Sequence, residues 1–403
     1  MTSSGRVAAL TVVLAAFILA ACRDASRLSE PRLEQPHALV ARPGRQIVPG
    51  QYVVVFKRDV GDPAGLARSL LARYGGSLRH TYKSALKGFA ARLPDAAVAA
   101  LRSNPYVDYI EPDLVGHADG TQVMDVNGDP WGLDRTDQRA LPLDGTYTYT
   151  STGAGVNVYL IDTGILTTHV EFAGRADNVY DVAGLDGMDC NGHGTAVAGV
   201  VGAATYGIAK GVSLHGVRVY FDCGTVVQLS DVVAGVDWVT ANHVNPAVAN
   251  MSVSLDPSNA LTTAVHNLWN SGVFVVATAA NHNSDACLEA GGASGAYTVA
   301  ASTRTDAKWD LSNWGKCVSI YAPGENIKTT WIPGPTTLMG TAIVSGTSFA
   351  APHVTGVAAL YKATFGNAPS DTVSKWITNN ATAGVITGNP AGTPNLLLYK
   401  ATL

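Results

Sequence analysis

Gly346-Thr347-Ser348-Phe349-Ala350-Ala351-Pro352 sets a serine among small residues, just before the uncharged apolar run Val354 to Leu360. A run of that kind reads as a buried helix with the serine at its N-terminus. Small neighbours let a substrate carbonyl approach, and the unsatisfied N–H groups of a first helical turn can face a developing oxyanion. Gly-Thr-Ser also occurs in ordinary loops, so two upstream segments decide the reading. Val156-Asn157-Val158-Tyr159-Leu160-Ile161 is a short apolar run that stops at Asp162-Thr163-Gly164. This is the pattern of a buried parallel strand presenting an aspartate at its carboxyl end, where open α/β sheets place their sites. Asn191-Gly192-His193-Gly194-Thr195 then precedes a second small, apolar, helix-compatible stretch, Ala196 to Ala203.

The chain order is therefore Asp162, His193, Ser348. A serine hydroxyl is a poor nucleophile until a neutral imidazole takes its proton, the role this order gives His193. Asp162 would hold the ring in one tautomer and stabilise the imidazolium. An α/β-hydrolase would run Ser, Asp, His around Gly-x-Ser-x-Gly, which disfavours that fold. The three motifs resemble those of the subtilisin-like serine proteases over roughly residues 125 to 403. Trp131-Gly132-Leu133-Asp134-Arg135 and Asn250-Met251-Ser252 resemble the proteinase K and aqualysin branch. The resemblance implies a mostly parallel sheet flanked by helices and a serine endopeptidase working through an acyl-enzyme, with no catalytic metal or organic cofactor.

By the same resemblance Asn281, after the buried-strand pattern Val273 to Ala277, is the oxyanion-hole asparagine. The family usually has glycine before it, and this chain has Ala280, which would be strained if the position needs φ > 0. Peptide would bind by β-augmentation between two backbone segments. One is usually Gly-Ser-Gly and here reads Gly224-Thr225-Val226-Val227; the other is usually Ser-Leu-Gly-Gly and here reads Ser252-Val253-Ser254-Leu255. A third wall, normally containing Ser-Pro-Ala, is Glu289-Ala290-Gly291-Gly292. Valine and leucine at these edges predict crowding, with small or extended aliphatic residues favoured over large aromatics near the scissile bond. The altered edges also motivate an alternative, a pseudoprotease or peptide-binding module with a remodelled cleft; the intact triad argues against it. A protein acting mainly through an inhibitory domain is disfavoured by the complete, contiguous catalytic segment.

With 47% hydrophobic and 14% charged residues, the chain can bury a large core, and a net charge of −4 gives no sign of nucleic-acid binding. Arg6 followed by the apolar stretch Val7 to Ala21 reads as an export signal. It ends in Leu19-Ala20-Ala21-Cys22, which resembles a bacterial lipobox with Cys22 as the lipidated residue of segment 1–22. Arg23 after that cysteine implies, by analogy with Gram-negative lipoproteins, an outer-membrane precursor and an extracellular or periplasmic mature enzyme. Residues 23–49 read as a linker. Residues 50–117 alternate β, α, β, β, α, β, the ferredoxin-like arrangement. At Tyr106 to Asp113 this domain resembles the inhibitor propeptide of the same family, a cis inhibitor and folding aid. Autocleavage is expected between Val115 and Met124, leaving 118–403 as the catalytic domain, expected to be a monomer.

Cys190, Cys223, Cys287 and Cys317 allow three pairings, and no Cys-x2-Cys spacing favours zinc. The aqualysin-like positions imply Cys190–Cys223 and Cys287–Cys317. Asp134, Asp137 and Gln138, with Asp144 nearby, resemble a structural calcium site of that branch. The family's other common site expects an aspartate where this chain has Ser319.

Overall fold

A computed structural model describes residues 47–83, 86–114, 120–224, 226–332 and 340–403. Cys22, the segment 1–22 and Thr225 lie outside the described residues. The first domain contains β1 (Ile47–Phe56), α1 (Pro63–Tyr74), β2 (Ser77–Tyr82), β3 (Gly88–Arg92), α2 (Asp95–Arg102) and β4 (Val107–Leu114). Its antiparallel sheet has the order β2-β3-β1-β4, the ferredoxin-like arrangement expected. The linker ends earlier than the expected boundary at residue 49. Ile47 pairs with Leu114 because β4 runs on past Glu111, and a register shift between Ile47 and Tyr52 accommodates Pro49 and Gly50. Val54, Phe89, Ala67, Val98 and Leu101 form this domain's own core.

The second region begins with β5 (Gly120–Val123), α3 (Trp131–Asp137) and β6 (Thr146–Tyr149), then β7 (Asn157–Asp162), β8 (Ala176–Asp181) and α4 (His193–Gly202). Next come β9 (Ser213–Arg218), α5 (Leu229–Asn242), β10 (Ala247–Met251), α6 (Asn259–Asn270) and β11 (Phe274–Thr278). They are followed by α7 (Ala290–Ala293), β12 (Tyr297–Ser302), β13 (Ile320–Pro323), the pair β14 (Ile327–Trp331) and β15 (Gly340–Val344), and α8 (Thr347–Phe365). The chain closes with α9 (Ser370–Asn380), β16 (Thr382–Ala383) and β17 (Leu396–Leu397). The nine-stranded sheet runs β16-β17-β13-β12-β11-β10-β7-β9-β8 and is parallel except at β16.

Both sheet faces are covered, which explains the near-continuous apolar strands. Val158 and Leu160 of β7 join one core with α4 and α8, whereas Tyr159 and Ile161 join another with α5 and α6. Strand order reverses at β7, which has β9 on one side and β10 on the other. Ligands bind outside the carboxyl ends of strands at such a switch point. Asp162 is the last residue of β7.

Candidate active site

Asp162 is fully buried, and its Oδ1 lies 2.8 Å from Nδ1 of His193 while accepting the Thr163 N–H at 2.7 Å. With Nδ1 committed to the carboxylate, Nε2 is the nitrogen left to accept a proton. His193 is the first residue of α4, and the next residue must be glycine. A Cβ on Gly194 would lie 2.2 Å from the Gly164 carbonyl and 3.2 Å from Asp162 Oδ1.

Asp189, four residues before the histidine, organises this helix start. Its Oδ1 accepts from Thr163 Oγ1 at 3.0 Å and from the N–H groups of Asn191 and Gly192, both at 2.9 Å. Its Oδ2 accepts from the Thr195 N–H at 2.9 Å and hydroxyl at 2.6 Å. An anion at a helix N-terminus is favourably placed, so the loop is pinned from both ends. Burial opposes the charged form of His193, but the adjacent Asp162 carboxylate, with Asp189 behind it, outweighs that and raises its pKa above the ordinary histidine value.

Ser348 is the second residue of α8, and the ring of Phe349 packs on His193 with centroids 5.4 Å apart. Pro352 has no N–H to close the i→i−4 bond to the Ser348 carbonyl. Ser252 Oγ donates to that carbonyl instead, at 2.9 Å. Asn250 Nδ2 donates to Ser252 Oγ at 2.8 Å, and Thr355 Oγ1 donates to Asn250 Oδ1 at 2.8 Å. A buried relay thus links α8 to the end of β10 and back. Neither Asp189 nor this relay was singled out from the sequence, although the proline four residues after the serine was its visible signal.

Asn281 sits three residues beyond β11, and its Oδ1 accepts from the Thr347 N–H at 2.8 Å and hydroxyl at 2.7 Å. With the carbonyl oxygen so held, the Nδ2 amide remains to donate, beside the first turn of α8. Ala280 has φ +74°, so the alanine does occupy the left-handed region where glycine is expected. Its surroundings hold it there. The Ala280 carbonyl accepts from Asn313 N at 3.0 Å, and Asn313 Oδ1 accepts from the N–H groups of His282 and Ser284 at 2.9 and 3.0 Å.

The expected substrate edges border this centre with a different division of labour. Ser252 and Val253 are buried, leaving the backbone and the exposed Ser254 toward solvent. Val227 and Leu255 are partly buried against the core around α5 and α6, and Val226 is 79% exposed. Asn191 Nδ2 donates to the carbonyls of Cys223 and Gly224, both at 3.1 Å, tying one edge to the His193 loop. Cys190 and Cys223 form a disulfide at the same place, and Cys287 and Cys317 form another behind the third wall.

Asp134 is buried with Oδ2 accepting from Gly145 N at 2.9 Å, while its Oδ1 has no partner among the described residues. Burial pushes the Asp134 carboxyl above the ordinary range, with Asp144 adding to it, and pushes Asp137 up to about 6. Gln138 spends its amide on the loop: Oε1 accepts from Asp144 N at 3.0 Å and Nε2 donates to Pro142 O at 2.9 Å. Among the described residues, no three His, Cys, Asp or Glu side chains are grouped to hold a metal ion. Ser319, at the second expected site, accepts instead from Thr298 N at 3.2 Å.

Comparison with known proteins agrees with this architecture. Residues 153–396 match the subtilase family and residues 51–119 match the peptidase inhibitor I9 family. An extracellular serine proteinase of Thermus sp. (strain Rt41A) is 43% identical, the match covering 97% of this chain and 98% of that protein. Alkaline serine exoprotease A of Vibrio alginolyticus is 40% identical over 94% of this chain and 72% of its own length. The crystal structure of a cold-adapted subtilisin-like serine proteinase superposes with a TM-score of 0.65 at 42% identity, covering 68% of this chain and 98% of the other. The chain belongs to the subtilase family, a serine-type peptidase preceded by an inhibitor I9 propeptide.

Proposed function

We propose that the protein is an exported serine endopeptidase made as a self-processing zymogen, with Asp162, His193 and Ser348 as its triad. The observation that carries the reading is the 2.8 Å bond from His193 Nδ1 to buried Asp162, with Ser348 beside the Phe349 ring that packs on the same imidazole. Ser348 Oγ attacks the scissile carbonyl while His193 Nε2 takes its proton. The tetrahedral oxyanion accepts from the Ser348 N–H and Asn281 Nδ2, and His193 passes the proton to the leaving amine. Water then releases the acyl group by the same exchange.

The names of the relatives support export, and the lipobox-like Cys22 supports a lipid-tethered precursor. The I9 domain is the cis inhibitor. Gly120–Val123 pair with Thr146–Tyr149 inside the catalytic region, which favours a processing bond N-terminal to Gly120. A monomer is proposed. A calcium ion is proposed at Asp134 and Asp137: the partnerless Oδ1 of buried Asp134 suits a cation, which would strap the α3 end to the Asp144 loop.

A fluorophosphonate probe should label the mature enzyme at Ser348, and Ser348→Ala should give an unlabelled, uncleaved precursor. Normal processing of that variant would refute both the nucleophile and the self-cleavage.

A further inference from the structure

Asn281 lies on the loop after β11, and the proposed chemistry needs its amide turned one way only. Nδ2 donates, whereas Oδ1 facing the same point would repel a developing oxyanion. The two orientations fill almost the same space, so hydrogen bonds have to choose between them.

A chain of donors makes that choice, and backbone N–H groups, which can only donate, fix its direction at both ends. At one end the Thr347 N–H donates to Asn281 Oδ1 at 2.8 Å, so that atom is the carbonyl oxygen. The Thr347 hydroxyl spends its single proton on the same oxygen, at 2.7 Å. Its Oγ1 is then an acceptor for any further neighbour. That neighbour is Thr278, whose hydroxyl donates to Thr347 Oγ1 at 2.5 Å. At the other end the Ala280 N–H donates to Thr278 Oγ1 at a longer 3.4 Å. Thr278 and Thr347 are buried, which keeps bulk water from competing for these bonds. Asn281 Nδ2 is left beside the turn before Ser348, where a Cβ on Gly346 would lie 3.4 Å from it.

Thr278 has the firmest footing in this chain. It is the last residue of β11, in parallel register with Val299 of β12, and the following N–H, of Ala279, donates to the Val299 carbonyl at 3.0 Å. Beyond it the loop passes through the left-handed Ala280. A hydroxyl on a paired strand therefore reaches past the strained residue to the α8 start. Support from a rigid element holds a loop side chain in register, and hydroxyls that accept and donate in series polarise one another.

Resting on the serine-peptidase reading above, we infer that Thr278 is a positioning residue for the reaction. Its hydroxyl directs the Thr347 hydroxyl onto Asn281 Oδ1, which keeps Nδ2 turned toward the oxyanion. Thr278 touches no reacting atom and acts only through Thr347 and Asn281.

The test is a double-variant cycle on mature enzyme produced from the full chain, with kcat and KM measured separately on one peptide. Thr278→Val keeps the shape and removes the hydroxyl. It should lower kcat about three- to tenfold with KM little changed, the worth of one hydrogen bond. Thr278→Ser should restore most of the rate, and Thr278→Ala should match Thr278→Val, which guards against a misfolded valine variant. In an Asn281→Ala background, Thr278→Val should change kcat by less than about twofold, because the group it positions is gone. An equal loss in both backgrounds would make Thr278 merely structural and overturn the inference. So would a wild-type kcat in Thr278→Val and Thr278→Ala. Either result leaves the peptidase reading intact, whereas a wild-type enzyme that neither cleaves peptide nor takes a fluorophosphonate label brings down both.

Discussion

The cradle around Asp162, His193 and Ser348 and the proposed substrate edges touch, yet they are built on opposite principles. Asp189 alone satisfies five donors around the His193 helix start, and a relay of three buried side chains replaces the hydrogen bond that Pro352 withholds from Ser348. The edges are tied at points: Asn191 to Cys223 and Gly224, and Leu255 to Ala290. Geometry that must hold reacting atoms in place is over-determined, so it constrains local sequence strongly. An edge that offers backbone to a variable peptide needs few fixed side chains and is free to diverge.

The largest expected effect lies inside the cradle. Asn281→Ala removes the amide donor aimed beside the α8 start, and kcat should fall about 10²–10³-fold with KM little changed. That magnitude is the one known for subtilisin, not one obtained from this geometry. A fall below about threefold would mean the oxyanion is held elsewhere. Ser252→Ala addresses the relay. It leaves the buried Ser348 carbonyl without a donor, at a cost of about 1–3 kcal/mol in unfolding free energy. Adding Pro352→Ala restores a helical N–H, so the double variant should regain much of the loss. Strictly additive losses in denaturant unfolding would show that the relay does not stand in for that bond.

The pH dependence separates catalysis from stability. In the proposed mechanism His193 must be neutral to act as base, and its pKa is raised, so kcat/KM should fall as pH drops through a value above the ordinary histidine pKa of about 6.5. The same raised pKa stabilises the fold fully below the unfolded value, and that contribution disappears as pH rises through the folded value. Activity and this part of stability therefore run in opposite directions. Asp189→Asn should move the activity limb to lower pH, because it removes one of the charges favouring imidazolium. An unmoved limb in a folded variant would confine Asp189 to a structural role.

Much of the cradle was legible because burial and chemistry impose the same residues. An apolar run ending in Asp162 could hardly be anything but a covered strand delivering a carboxylate, and Gly194 follows His193 because no Cβ fits. The left-handed Ala280 was anticipated as a conditional strain, and φ +74° makes it real. Ala280→Gly should therefore stabilise by about 1 kcal/mol, less any entropy the glycine returns to the unfolded chain. No rise in Tm would mean that the bonds through Asn313 depend on the alanine. Asp189 was not legible, because accepting N–H groups from a tight loop leaves no periodic signature. The Ile47 pairing was hidden by Pro49-Gly50, which reads as a turn until β4 supplies a partner. The packing of Val227 and Leu255 was hidden for a related reason: identity says that a side chain is apolar, but only the fold says which apolar space it fills.

The smallest expected effect lies on the edge itself. Val227 and Leu255 pack on the core, whereas Val226, on the edge expected to border substrate, is 79% exposed. A side chain that solvated can screen a neighbouring peptide residue but cannot wall it in. One methylene-scale change in a pocket alters selectivity by about 1–3 kcal/mol at most, and an open edge should fall below that range. Val226→Gly should thus widen tolerance for large aromatics preceding the scissile bond by less than about tenfold, with Tm nearly unchanged. Val227→Gly should do the reverse, lowering Tm through lost core contacts while leaving the cleavage profile close to wild type. A peptide-library profile and a thermal melt on the two variants read both quantities. If Val227→Gly reshapes the profile and Val226→Gly does not, the inward packing of Val227 is not what sets this edge, and the contrast between a fixed cradle and a permissive rim has to be redrawn.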